Sequence, residues 1–332
     1  KIEKAGTPLK DWEIQINYGI KTGFNEAFII DESTKNELIL EDFKSAEIIK
    51  PILRGRDIKR YYADYANLYL ISTFPALKLD IENYPAVKKY LLSFAKERLE
   101  QLGNVGSRKK TGNKWFEIQD QISYHEEFAK EKIVWASIGE THYSFVAKNM
   151  LLLDTNYFCT FKTDKINKYI LCVLNSKAII RYVNSIDTQV GEVAHRHYKY
   201  NFEKIPIPQI SEENQQIFIE KADLMLNLNK KLQEISQKVQ RNLLREFSLT
   251  KLNTKLENWY KLSFADFLKE LEKQKIKLKL SQKTEWEKYF AQAKAHATEI
   301  SAQILQTDQQ IDALVYELYN LNREEIEIVE KM

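Results

Sequence analysis

Apolar and polar positions follow two different rhythms along this chain, and the change comes near residue 208. Before it, short runs rich in β-branched and aromatic residues recur at Glu13–Ile20, Ala27–Asp31, Leu68–Thr73, Ile133–Ile138, Leu151–Asp154 and Tyr157–Phe161. Runs of that length and composition predict strands. Two helical periodicities interrupt them. One follows Pro85, where Val87, Tyr90, Leu91, Phe94 and Leu99 recur at helical spacing. The other covers Ile166–Val183, with a break predicted at Asn175–Ser176. The stretch Gly103–Gly112 holds three glycines among polar residues and predicts a loop.

The passage Ile205-Pro-Ile-Pro208 excludes helix, because alternate prolines force an extended backbone. Ser211 then caps a helix whose first turn carries Glu212 and Glu213. Apolar residues at Ile217, Leu224, Leu228, Leu232, Ile235, Val239 and Leu243 predict an amphipathic helix of about nine turns. No glycine follows Gly191, and further helix starts are predicted at Ser263, Thr284 and Asn322, each with an acid three residues on. Residues 269–288 alternate in charge sign and predict a solvated helical surface. The expected fold class is α+β: a mixed α/β domain with short twisted strands over 1–208, then a long helix and an all-α region over 209–332.

Composition narrows the class. With 332 residues and 44% hydrophobic content the chain can bury a large core. It opens on Lys1 rather than Met, which reads as a piece of a longer protein. No signal peptide is legible, and no run of about 18 apolar residues occurs, so the expectation is a cytoplasmic protein without a membrane partner. The two cysteines, Cys159 and Cys172, suggest core thiols rather than a disulfide framework. Net charge is only +3, but it is uneven: residues 1–208 carry 31 Lys and Arg against 27 Asp and Glu, and the remainder 19 against 20.

Catalytic signatures are missing. There is no glycine-rich phosphate loop, no paired-cysteine or His-Glu-x-x-His metal motif, and no Asn-Pro-Pro-aromatic tetrad. His195-Arg196-His197 could place two imidazoles on one strand face, but an Arg between them fits a polar or phosphate-contacting loop better than a metal site. Neither a catalytic nor a metal-ligating residue is predicted, and no cofactor.

Basic residues cluster instead, in four segments. Gly19 and Gly23 bracket Lys21 and Thr22, with Asn25 just beyond, suggesting a tight turn that presents a cation and a hydroxyl; an ordinary hairpin turn would read the same way. Lys50–Tyr61 holds Arg54, Arg56, Lys59 and Arg60 around Gly55, and guanidinium forks suit phosphates and guanine edges. The alternative is that Arg54 or Arg56 braces the fold by pairing with Asp57 or Asp64. Ser107–Phe116 offers Arg108, Lys109, Lys110, Asn113 and Lys114 ahead of two aromatics. Gly191–Tyr200 offers Arg196, His197 and Tyr198 in a predicted loop. Four such segments on one α/β unit predict binding to double-stranded DNA.

The same segments carry a resemblance. "NYGIKTGFNEAF", "IIKPILRGRDIKRY", "KWFEIQD", "KEKIVW", "VLNSK", "FEKIPIPQIS" and the tail "TDQQIDALVYELYNLNREEIEIVE" together resemble the TaqI-like C-terminal specificity domain of type IIG restriction–modification enzymes and related adenine-specific DNA methyltransferases, from about Trp12 onward. The resemblance implies a target-recognition domain with a helical spacer, reading an asymmetric DNA site. It also implies an upstream domain of the same polypeptide that binds S-adenosylmethionine and methylates adenine N6, in many members beside a nuclease. The present chain would then neither methylate nor cut alone. Because the Arg54–Arg60 cluster lies inside the shared signature, it is expected to position DNA through phosphates, with the two later loops discriminating sequence. The Pro-x-Pro exit and long helix also resemble the specificity subunits of type I systems, the alternative reading.

Overall fold

The computed structural model describes residues 1–331. They pack as two compact units: residues 1–216 together with 315 onward, and residues 217–314. The segment 209–332 expected as one helical region is thus shared between the two units.

The first unit is built on two four-stranded sheets. In one, Gln15–Tyr18, Asn156–Thr160, Lys132–Ala136 and Ser144–Val146 lie side by side in that order, all antiparallel. In the other the order is Ile29–Ile30, Tyr69–Ile71, Ile49–Leu53 and Leu151–Leu152, and the last pair is parallel. Every residue of the strands 132–136 and 156–160 is buried. A sheet buried on both faces loses the in–out alternation that marks a half-exposed strand. Trp135 stacks on Phe202 at a centroid distance of 3.9 Å, while Phe158 packs on Phe128 at 4.7 Å. The helix Asp164–Leu174 is also apolar over a whole stretch, since Tyr169 through Leu174 are all buried. The chain then breaks at Asn175–Ser176, as predicted, and restarts with Ser176 capping Lys177–Ile186.

The sheets join at Gly19, which donates to Asn156 O at 2.9 Å, while the next amide, Ile20, donates to Leu152 O at 2.6 Å. A Cβ at Gly19 would lie 1.8 Å from Leu153 O, so only glycine allows this approach. A third sheet is an exposed hairpin, Thr188–Val190 and Ala194–Arg196, whose return strand pairs with Ile138–Gly139. The segment 191–200 is therefore the tip and returning strand of a hairpin, followed by the start of the short helix Lys199–Phe202, rather than a loop throughout.

Three more predicted elements change. Ala27–Asp31 is a short helix, Asn25–Phe28, and only Ile29–Ile30 is strand: Ala27 and Phe28 are both buried, which strict alternation does not allow. Thr284 starts no helix, because it lies inside Leu280–Leu318 and its hydroxyl bonds back to Leu280 O at 3.2 Å. Residues 269–288 are not continuous helix either: Phe264–Lys273 ends, Lys275 takes a left-handed φ of 65°, and the next helix begins at Leu280.

The second unit has its own core. Val239 and Leu243 of the helix Glu212–Glu246 pack with Leu252, Leu256, Trp259, Phe267, Leu271 and Phe290. Ser263 and Asn253 cap the intervening helices as their side-chain chemistry predicts.

Candidate nucleic-acid interface

All four basic segments belong to the first unit, and hydrogen bonds draw three of them together at one turn, Leu153–Asn156. Asp154 N donates to Ile20 O (3.1 Å), which holds the Gly19–Gly23 segment there. Leu153 N donates to Leu53 O (2.9 Å), and Thr155 Oγ1 accepts from Gly55 N (2.8 Å), which holds the arginine segment. Thr155 O accepts from Ser137 N (2.8 Å), and Ser137 O accepts from His197 N (3.0 Å), which brings in the returning strand of the hairpin. The fourth segment hangs on the first: Gln119 N donates to Thr22 O at 3.1 Å, and Asp120 both accepts from Lys21 N and feels the charge of Lys109.

Within this cluster the predicted residues divide sharply. Lys21, Arg56, Lys109, Lys110, Lys114 and Arg196 are exposed. Arg56 has no hydrogen bond or ion pair among the described residues, although its neighbours are all engaged. Lys114 leans over the Phe116 ring at 5.5 Å, and Trp115 beside it is half-buried. Lys59 is half-buried near His142, whose pKa is pushed below the ordinary imidazole value by burial first and by Lys59 and His197 after that. Tyr198 is half-buried and stacks on exposed Tyr200 at 5.1 Å.

The others are engaged within the fold: Thr22, Arg108 and His197 are buried, Arg54, Arg60 and Asn113 half-buried, and Asn25 exposed. Arg108 is buried: Nε and Nη2 donate to Leu99 O (2.8 and 2.6 Å), Nη2 to Trp115 O (2.7 Å), and Nη1 to Thr22 O (3.1 Å). Burial lowers its pKa to about 10. A guanidinium spanning three carbonyls is a brace for the loop, which a flexible ammonium could not reproduce. Asn113 is spent similarly, its Nδ2 donating to Ile118 O and Gln119 O. Thr22 is buried and its hydroxyl donates to Asn25 Oδ1 at 2.6 Å, so this pair shapes the turn beneath Lys21. Arg54 forms a two-pronged pair with Asp57, Nη2–Oδ1 2.6 Å and Nε–Oδ2 2.9 Å, the bracing alternative weighed for that cluster. Arg60 donates to Asn175 O at 2.5 Å and tethers the segment to the helix break.

His197 is buried at the base of the hairpin. Its Nδ1 lies 2.6 Å from Asp187 Oδ2, and Asn201 Nδ2 donates to Asp187 Oδ1 at 2.7 Å. No group of three or more His, Cys, Asp or Glu placed to hold a metal occurs among the described residues. Both cysteines are buried and neither is in a disulfide, and no helix is long and apolar enough to cross a membrane among the described residues. Sequence reasoning missed Asp154 and Thr155, which lie at the centre of the cluster. Neither is basic or aromatic, so nothing in the sequence marks them; only the hydrogen bonds do.

Residues 50–207 match the family of TaqI-like C-terminal specificity domains, and residues 211–315 match a family described only as a domain of unknown function (DUF8810). No curated protein matches the chain. Among solved structures, the Type IIL restriction-modification enzyme MmeI, determined in complex with DNA, aligns over 96% of this chain and 36% of its own, at 12% identity and TM-score 0.53. The type IIG restriction endonuclease BpuSI aligns over 96% of this chain and 32% of its own, at 12% identity and TM-score 0.46. The chain thus spans about a third of the length of these enzymes. Over residues 50–207 this chain is thus similar to the TaqI-like C-terminal specificity domains.

Proposed function

We propose that the chain is the DNA-reading portion of a type IIG-like restriction–modification adenine-N6 methyltransferase, holding double-stranded DNA against the exposed cations around the turn Leu153–Asn156. The observation that carries this reading is the convergence of three basic segments, far apart in sequence, on that one turn, with the fourth bonded to the first through Arg108 and Thr22 O. Lys21, Arg56, Lys109 and Arg196 stay exposed there while neighbouring cations are spent internally. Phosphate neutralisation supplies most of the affinity of such a surface. Methyl transfer then belongs to an upstream domain of the same polypeptide, which supplies S-adenosylmethionine; no residue of this chain is assigned to that cofactor. The work done here is to fix the register of the duplex.

The test is binding of the chain to a random-sequence duplex across a salt series. With four exposed cations engaged, log affinity should fall against log salt with a slope of about −3 to −4. Arg56→Ala should flatten it by about one unit and weaken all sequences alike. Affinity that ignores salt, or a slope unchanged when all four cations are neutralised together, would refute the reading.

A further inference from the structure

Among the cations around that turn stands one carboxylate that the fold does not use. Asp154 is exposed, and its side chain makes no hydrogen bond or ion pair with another of the described residues. Its neighbours all have tasks: Leu153 and Asn156 close the turn with a 2.9 Å bond, Thr155 binds Gly55 and Ser137, and Asp120 accepts from Lys21 N. Surrounding protein desolvates the Asp154 carboxyl and pushes its pKa up; Lys21 offsets this and Asp120 adds to it. A negative charge placed where phosphates are to be gathered costs binding, unless the ligand offers a donor at that spot. Duplex DNA offers such donors in the major groove, as the amino groups of cytosine N4 and adenine N6.

The geometry points to Asp154 as a sequence-determining residue that accepts a hydrogen bond from a base amino group, while the surrounding cations hold the flanking phosphates. This rests on the DNA-reading function proposed above. It makes the tip of the Leu153–Asn156 turn a base-reading element, alongside the expected loops 103–112 and 191–200. It also explains an acid amid Lys21, Arg56 and Arg196: the repulsion it adds toward phosphate weakens binding to every sequence, and a correctly placed amino group restores it. An acid of this kind raises discrimination by penalising the wrong sequence as much as by rewarding the right one.

The experiment is selection of duplexes from a random pool by the chain and by Asp154→Ala and Asp154→Asn. Affinities for the enriched duplex and a scrambled one are then measured. Wild type should enrich a motif with cytosine or adenine fixed at one position, and the pool sequences distinguish the two. Asp154→Ala should bind that duplex about 5- to 100-fold more weakly, bind the scrambled duplex as well or better, and lose preference at that one position. Asp154→Asn, nearly isosteric and able both to donate and to accept, should shift the position toward adenine and carries the test if the alanine variant does not fold. Equal shifts for both duplexes, or salt-sensitive binding by wild type with no enriched motif, would overturn the role of Asp154 and leave the function standing. Absence of any DNA binding by wild type would overturn the function itself.

Discussion

At the scale of single residues, charge type proved a poor guide to which cations face solvent. Arg108 and Lys109 are neighbours in a run of bases, yet one is buried on three carbonyls and the other exposed. Arg108→Ala should cost about 3 kcal/mol or more in a denaturant titration, because it strands buried carbonyls. Arg108→Lys should recover only part of this, since an ammonium lacks the fork. Lys132 is the second case. It is fully buried, donates to Phe128 O (3.0 Å) and Ala147 O (3.2 Å), and burial lowers its pKa to about 7. A base whose folded pKa lies below its unfolded value carries a penalty fully present below the folded pKa, and stability rises between the two as the unfolded chain binds the extra proton. Lys132 should therefore add stability as pH climbs from about 7 toward its unfolded pKa of about 10.4. Denaturant midpoints of wild type and Lys132→Met at pH 6.5 and 9 check this: the gap between the two proteins should change in favour of wild type at the higher pH, and a constant gap would contradict it.

At the scale of elements, the hairpin 188–196 shows how a short exposed ribbon is held. Its strands pair from Thr188↔Arg196 to Val190↔Ala194, and all three residues of the outer strand are exposed. Two-stranded ribbons are marginal alone. Here the residues just outside the first pair, Asp187 and His197, form a buried contact that Asn201 completes. His197→Ala should leave the Asp187 carboxylate without its main partner and loosen the ribbon. Amide exchange over 188–196 should accelerate at least tenfold while the strands 132–136 and 156–160 keep their protection. Uniform acceleration across the unit would mean the contact braces the whole core instead.

At the scale of the molecule, the chain's last turn home matters. After the second unit, residues from Val315 onward rejoin the first. Tyr319 is buried and its hydroxyl donates to Pro206 O. Asn322 forms a reciprocal capping box with Glu325, which also pairs with Lys1 at 2.9 Å. The Pro-x-Pro passage is thus enclosed by the chain's two ends: Thr7–Pro8 pairs with Pro206–Ile207 as a short ribbon. Tyr319→Phe should cost about 1 kcal/mol. Removing residues 315–332 should lower the melting temperature of the first unit far more, and with it the fraction able to bind DNA at 37 °C; an unchanged first transition would show the tail to be dispensable.

Read alone, the sequence settled the α+β class, the change of character at the Pro-x-Pro passage, the break at Asn175–Ser176, the caps at Ser211, Ser263 and Asn322, and the likeness to TaqI-like specificity domains over 50–207. These are written locally: a cap needs only its own turn, a proline acts on its own backbone, and a family signature is a string of letters. It also placed all four segments of the candidate interface. The tertiary structure decided what each cation in them does, because whether a guanidinium meets water or a carbonyl depends on chain distant in sequence, as with Arg108 and Thr22. It alone placed Asp154 among the cations, since that position follows from hydrogen bonds to residues 20, 53, 55 and 137 around one turn. Strands buried on both faces, such as 132–136, also carry no alternation from which their inner and outer sides could be read.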